Sequence, residues 1–207
     1  MADWSLFALT LLVGIGVVQL DPLKCCLPAQ YSLIMTDLKT INTNSISNSD
    51  YQMDFTMNLA AIRASTLDPI TGTSVIRSRS VFDYSRGKMY YIPENSTLCY
   101  IVNITALPTR CIPDDALYVD SSYFGTFPTL TYDTWRFRLP GSNITVTLAV
   151  SSDSCVPVVE GTSDPATQTD QILLFTTYVS NIRYPSLFDL PASCGQSDWT
   201  DREPNRP

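Results

Sequence analysis

Histidine is absent from all 207 residues. That removes in one step the Ser-His-Asp and Cys-His catalytic arrangements, imidazole zinc sites and the usual protonation switch near neutral pH. Charge is scarce as well: charged residues make up 16% of the chain and the formal net charge is −7. Lys and Arg form no long run, so the cationic surface that a phosphate backbone requires is missing and nucleic-acid binding is excluded. There is no Asp-Thr-Gly or Asp-Ser-Gly triplet, no Gly-x-Ser-x-Gly elbow and no phosphate-binding glycine loop. Paired carboxylates assembled in space stay open as a catalytic device. The chain is nonetheless read as a binding protein and not an enzyme.

Helical signals are lacking too, since no stretch sustains a period of about 3.6 residues with caps. A short helical turn is expected only near Pro113 to Leu117. After the first 20 residues no segment is apolar for long enough to span a bilayer, which takes roughly 20 apolar residues.

Those first residues contain the run Leu6 to Val18 (LFALTLLVGIGVV), the length of a signal-peptide core. Residues 1–20 are therefore read as a cleaved signal peptide, with Gly14, Gly16 and Gln19 placing cleavage between Gly16 and Leu20. Met1 to Ser5 carries Asp3 and no Lys or Arg, which leaves a retained membrane anchor as the competing reading. Three sequons, at Asn95, Asn103 and Asn143, point to the same secretory route and to N-glycosylation. Removing the leader leaves roughly 187 residues, enough for one domain that buries about 70% of its unfolded surface. Residues 21–195 form that domain, and 196–207 is a polar tail, read as disordered.

The segment Tyr51 to Leu59 (YQMDFTMNL) alternates large apolar with polar residues, the period of a half-buried strand. Tyr51, Met53, Phe55, Met57 and Leu59 would share one face. Further strands are expected at Thr73 to Tyr84, Lys88 to Pro93, Leu98 to Thr105, Thr134 to Leu139, Asn143 to Ser151 and Gln171 to Arg183, all rich in Thr, Val, Ile, Tyr and Phe. Turn signals separate them at Asp68-Pro69 with Gly72, Ser85 to Gly87, Pro140 to Ser142 and Gly161 to Pro165. Tyr84 to Lys88 reads as a tight hairpin. The expected class is all-β and antiparallel.

Six cysteines allow many connectivities, and spacing chooses none of them. Adjacent Cys25 and Cys26 are expected to bond to different partners, because neighbours rarely meet disulfide geometry with each other. With no histidine and no Cys-x-x-Cys pair, zinc is the weaker reading.

The residues around the cysteines resemble the ependymin-related family. The likeness is carried, in order, by Cys25 to Tyr31 (CCLPAQY), Phe82 to Ile92 (FDYSRGKMYYI) leading to Cys99, Tyr132 to Trp135 (YDTW), Asp153 to Val158 (DSCVPV) and Phe188 to Cys194 (FDLPASC). The resemblance implies bridges Cys99 to Cys194 and Cys25 to Cys155, which leaves Cys26 and Cys111 to pair. Cys26 can exchange roles with Cys25, and Cys111 departs from the family pattern. It also implies two antiparallel sheets forming an open half-barrel or β-sandwich with an apolar cavity, similar to bacterial lipoprotein-carrier folds.

In such a cavity the ligand-binding candidates are Met53, Phe55, Met57, Trp135, Phe137, Val146, Leu148 and Phe175, with Leu173 and Val150 in the same alternation. Ordinary core packing is the competing account of each. Arg77, Arg79, Arg86 and Lys88 flank the hairpin, where they serve either as a solvated strand face or as contacts to an anionic head group. Calcium is associated with the family, and Asp114, Asp115, Asp120, Asp164 and Asp170 are acidic candidates. None reproduces an EF-hand loop, so no metal ligand set is named and no cofactor is required. The implied function is a secreted or lysosomal-lumen glycoprotein, homodimeric, that binds a fatty acid or other lipid. The alternative is an extracellular adhesion protein engaging matrix or glycan partners without a carrier role.

Overall fold

The structure is a computed structural model that describes residues 21–38, 46–68, 70–105, 108–126 and 129–195. The expected leader and tail lie outside the described residues. The described chain forms β1 (Gln30–Asp37), β2 (Ile46–Asp54), β3 (Leu59–Leu67), β4 (Ser74–Asp83), β5 (Lys88–Pro93), β6 (Tyr100–Asn103), β7 (Leu117–Phe124), β8 (Leu130–Arg138), β9 (Thr145–Ser151), β10 (Pro157–Asp164) and β11 (Thr169–Val179). Two 3-10 turns follow, Pro185–Phe188 and Ala192–Cys194. All-β is therefore correct. The expected helical turn near Pro113 is a single turn closed by Ala116 N–H donating to the Pro113 carbonyl.

Every ladder is antiparallel, and the strands run in the order β6-β5-β4-β3-β2-β1-β11-β10-β9-β8-β7. Two meanders, β1 to β6 and β7 to β11, thus meet where β1 pairs with β11. Where two sheets are expected, the hydrogen-bond ladder is continuous across this seam.

The expected hairpin at Tyr84 to Lys88 joins β4 to β5. Gly87 sits at φ +62°, where a Cβ would come within 3.1 Å of the Ile104 carbonyl oxygen, so only glycine fits without strain. The alternation from Tyr51 to Leu59, by contrast, does not make one strand. It breaks at Phe55 to Asn58 into the turn between β2 and β3. The Asp54 carboxylate accepts from the backbone N–H groups of Thr56 and Met57, and Asn58 adopts φ +55°. This local side-chain capping outcompetes the extended conformation that alternation favours. Similarly, Gly161 to Asp164 continues β10, paired with β9 and β11, although it reads as a turn.

One face of β2 to β5 is covered by the chain's own C-terminal segment. Leu59 and Ala61 pack against Leu187 and Phe188, while Val81, Tyr90 and Ile92 pack against Leu190 and Cys194. Polar groups beneath the segment fix its path. Gln52 is fully buried, donates to the Tyr184 carbonyl at 2.8 Å and accepts from the Tyr184 N–H at 2.6 Å. Ser32 donates to the Asn181 carbonyl and accepts from the Arg183 N–H. Arg79 donates to the Ser186 carbonyl, Arg77 to the Thr66 hydroxyl, and Arg86 pairs with Asp83 at 3.4 Å. Three of the four basic side chains flanking the hairpin are thus engaged within the fold.

The disulfides are Cys25–Cys155, Cys26–Cys111 and Cys99–Cys194, the pairing that the family likeness implies. They close loops of 130, 85 and 95 residues. Each restricts the unfolded chain by about 4–5 kcal/mol in the chain-entropy model, a sum reduced by loop overlap. Truncating Gln52→Ala strands both backbone groups of Tyr184 and is expected to cost about 2–4 kcal/mol. Denaturant unfolding with intact disulfides measures that loss, and a change within error of zero would remove Gln52 as the anchor of the C-terminal segment.

Candidate ligand-binding site

The opposite face of the sheet is apolar across the seam. Cross-strand partners project to one side, and the register sets Tyr31 beside Met53, Leu33 beside Tyr51, and Met35 beside Phe175. It continues with Leu173 beside Glu160, Glu160 beside Leu148, and Leu148 beside Trp135. Two buried clusters result. One is built on Tyr31, Leu33, Met53 and Ala60, the other on Trp135, Phe137, Val146, Leu148 and Val150, and Phe175 packs against both. Between them lies a cavity of about 180 Å³ lined by Leu27, Tyr31, Leu33, Met35, Tyr51, Leu148, Pro157, Glu160, Leu173 and Phe175.

Of the residues expected to bind ligand, Leu148 and Phe175 line this cavity, as does Leu173 of the same alternation. Met53 is wholly buried behind Tyr31, and Phe55 packs its ring 6.4 Å from that of Tyr31. Trp135, Phe137 and Val146 continue the same face beyond Leu148 without reaching the cavity wall. Met57 sits in the β2–β3 turn, 40% exposed, away from the strand face that alternation assigns to it. The lining residues that alternation does not supply come mainly from β1 and β10. In β1 the pattern Tyr31, Leu33, Met35 is an available signal. Glu160 has none, because a single carboxylate in a strand reads as an outward-facing residue.

The polar groups here sit in apolar surroundings. The hydroxyls of Tyr31 and Tyr51 hydrogen-bond to each other, with ring centroids 5.9 Å apart. Burial raises both phenols well above their ordinary value, and the Glu160 carboxylate close by raises them further. Tyr84 is pushed up to about 12 by burial. Desolvation likewise holds the Glu160 carboxyl above the usual carboxylate range. Among the described residues no salt bridge reaches it.

A more open depression of about 390 Å³ lies at the end of the same strands, lined by Asp37, Ile144, Thr162, Asp164, Thr169, Asp170 and Gln171. The Asp164 carboxyl is held below its ordinary range by the Ala166 N–H and the Thr167 hydroxyl. Among the described residues no group of three or more Asp, Glu, Cys or His is arranged to hold a metal ion. Asp114, Asp115 and Asp120 lie apart from this rim.

Glu160 generates a pH dependence of stability. A carboxyl whose folded pKa is raised binds more protons folded than unfolded, so folding weakens as pH climbs from the ordinary Glu value through the raised one. Glu160→Gln is expected to unfold at higher denaturant concentration than the wild type at neutral pH and to lose that advantage at acidic pH. Equal midpoints at both pH values would mean that Glu160 is not desolvated.

Among the solved structures, one shows the same kind of fold at low sequence identity. An uncharacterized conserved protein from Thermus thermophilus superposes with a TM-score of 0.50 at 11% identity, covering 80% of this chain and 87% of its own. A LolA superfamily protein from Nitrosomonas europaea aligns at 0.34 and 8% identity, covering 84% and 91%. The first likeness speaks to the fold alone. No curated protein matches the sequence. The family model described as Ependymin matches residues 74–194, a span running from the start of β4 to the last cysteine and covering more than half of the sequence, and on that match the chain belongs to the ependymin family.

Proposed function

We propose that the mature chain is an exported glycoprotein that carries a hydrophobic small molecule or lipid on its apolar face, and that it is not an enzyme. The observation that carries this reading is the cavity between the two clusters, walled by Leu33, Met35, Leu148 and Phe175. Each methylene buried there contributes about 0.8 kcal/mol, so a short acyl segment supplies useful affinity. The cavity is smaller than the roughly 300 Å³ at which drug-sized sites begin. Longer chains require Met35 and Phe175 to move, and an unbranched Met does so at low cost. In this reading the two meanders curl toward each other as an open half-barrel over the ligand.

Export is supported by three disulfides, which persist in oxidising compartments, and by the exposure of Asn95, Asn103 and Asn143. The lysosomal lumen is a second destination on the same route. An adhesion role is favoured by one observation: edge strand β7 presents Leu117, Tyr123 and Phe124 at 68%, 66% and 50% exposure, more apolar edge than a monomer needs.

Secreted protein is expected to lose mass in three glycan-sized steps with a glycosidase. A single unshifted species would remove glycosylation from the proposal. Native mass spectrometry after deglycosylation is expected to show a stoichiometric lipid adduct. Leu148→Trp fills the cavity and should weaken uptake of an added apolar probe by about tenfold or more, whereas Leu23→Trp, at a position 93% exposed, should not. A clean apo mass together with no probe uptake would return the apolar face to ordinary core.

A further inference from the structure

The five consecutive strands β2, β1, β11, β10 and β9 are neighbours in the sheet and contain no Lys or Arg, while Arg63 of the adjoining β3 is paired with Asp50. Glu160 lies inside this strip, on the cavity wall, between Leu148 and Leu173. The next residues on the same side of β10 are Thr162 and Asp164, which lead from the cavity to the rim shared with Asp37 and Asp170. Two described cations lie toward this face: Arg110, whose guanidinium donates to the carbonyl of cavity-lining Leu27 at 2.9 Å, and Lys24. Lys24 sits over the Trp135 ring at 5.8 Å, two strands from Glu160 or about 10 Å at the usual strand spacing, and it donates to the Asp114 carbonyl.

We propose that this site selects amphiphiles carrying a protonated amine, such as long-chain amines or amino alcohols, over fatty acids, with the Glu160 carboxylate meeting the ammonium and the acidic rim drawing it in. The inference rests on the carrier reading above and narrows it. The lining offers an anionic head group a carboxylate and no basic side chain, the nearby Arg110 being engaged by the Leu27 carbonyl, and like charges in a desolvated site repel strongly. An ammonium supplies three donors and the positive charge that Glu160 lacks. Discrimination thus comes as much from what the site rejects as from what it attracts.

Binding should also depend on pH, because the ammonium needs Glu160 ionised. Its titratable neighbours are Tyr31 of β1, Tyr51 of β2, Tyr84 after β4 and Tyr178 of β11, with Asp37, Asp164 and Asp170 at the rim and Asp133 and Lys24 toward β8. The four phenols are all raised and stay neutral through the range in which a carboxyl titrates. Asp164 stays ionised to lower pH than an ordinary Asp. Acidification through the raised Glu160 value therefore weakens amine binding while leaving an uncharged ligand of equal length unaffected.

Displacement of a neutral naphthylamine dye by dodecylamine, dodecanol and dodecanoate tests this on the secreted, disulfide-intact protein. At neutral pH dodecylamine is expected to displace the dye at a concentration about tenfold or more below dodecanoate, with dodecanol between them. Glu160→Gln should bring the three together. Acidifying the wild type should shrink the amine-to-alcohol ratio, a readout that requires no variant to fold. Equal displacement by all three ligands, or an amine preference that survives both the substitution and acid, overturns the selectivity and leaves the carrier reading standing. Displacement by none of them overturns both.

Discussion

The pairing of β1 with β11 is the constraint on which the rest of this fold depends. It sets Met35 against Phe175, far apart in the chain, and makes two meanders into one sheet. Without it, the cluster on Tyr31 and Leu33 and the cluster on Trp135 and Leu148 would be separate cores with no shared cavity. Long-range pairing of this kind must overcome the entropy of closing a large loop before its contacts form. The Cys25–Cys155 bridge lies where that cost falls, tying the segment before β1 to the segment before β10. The covalent tie and the hydrogen-bonded seam thus constrain the same junction.

The two faces of the sheet solve different problems. Beneath the C-terminal segment, Gln52 and Ser32 partner backbone groups of Asn181, Arg183 and Tyr184, so an irregular stretch is held against the sheet by buried side chains. That face is closed with material from the chain itself and is pinned at its far end by Cys99–Cys194. The other face is covered only in part, by Leu27 against the cluster around Tyr31 and by Cys25, Ile112 and Ala116 against the cluster around Trp135, and between them its apolar side chains meet across the seam. A cavity is left there because the segments covering this face leave a gap between the two clusters.

Much of this architecture is legible in the sequence, and the failures have identifiable causes. Strands β4, β5, β8, β9 and β11 carry β-branched and aromatic residues bounded by glycine and proline turns, so composition and punctuation agree. β3 (LAAIRASTL) is buried on both sides at Leu59, Ala60 and Ala61 and shows no alternation to read. β10 contains Gly161, a turn residue by propensity, held in the sheet by partners on both sides. The residues from Tyr51 to Leu59 fail oppositely: perfect alternation is cut by the Asp54 capping interactions, and with it goes the expected role of Met57. The cavity follows the same pattern. Leu148, Leu173 and Phe175 emerge from alternation, while the alternating Tyr31, Leu33 and Met35 gain their place in the site only through the register between β1 and β11.

Glu160 is the one element of the site that no stability argument favours. Its neighbours Leu148 and Leu173 are apolar, its desolvation opposes ionisation, and an apolar residue there would extend the face without that penalty. Ionisable groups held in an unfavourable state cluster where a protein binds or reacts. The Tyr31–Tyr51 pair stands differently, because the two hydroxyls share a hydrogen bond. Glu160 has no such partner in the strands around it, none of which carries a Lys or Arg. A positive ligand head group would relieve its desolvation directly, and the cost of burying the carboxylate would then reappear as selectivity for the ligand that neutralises it.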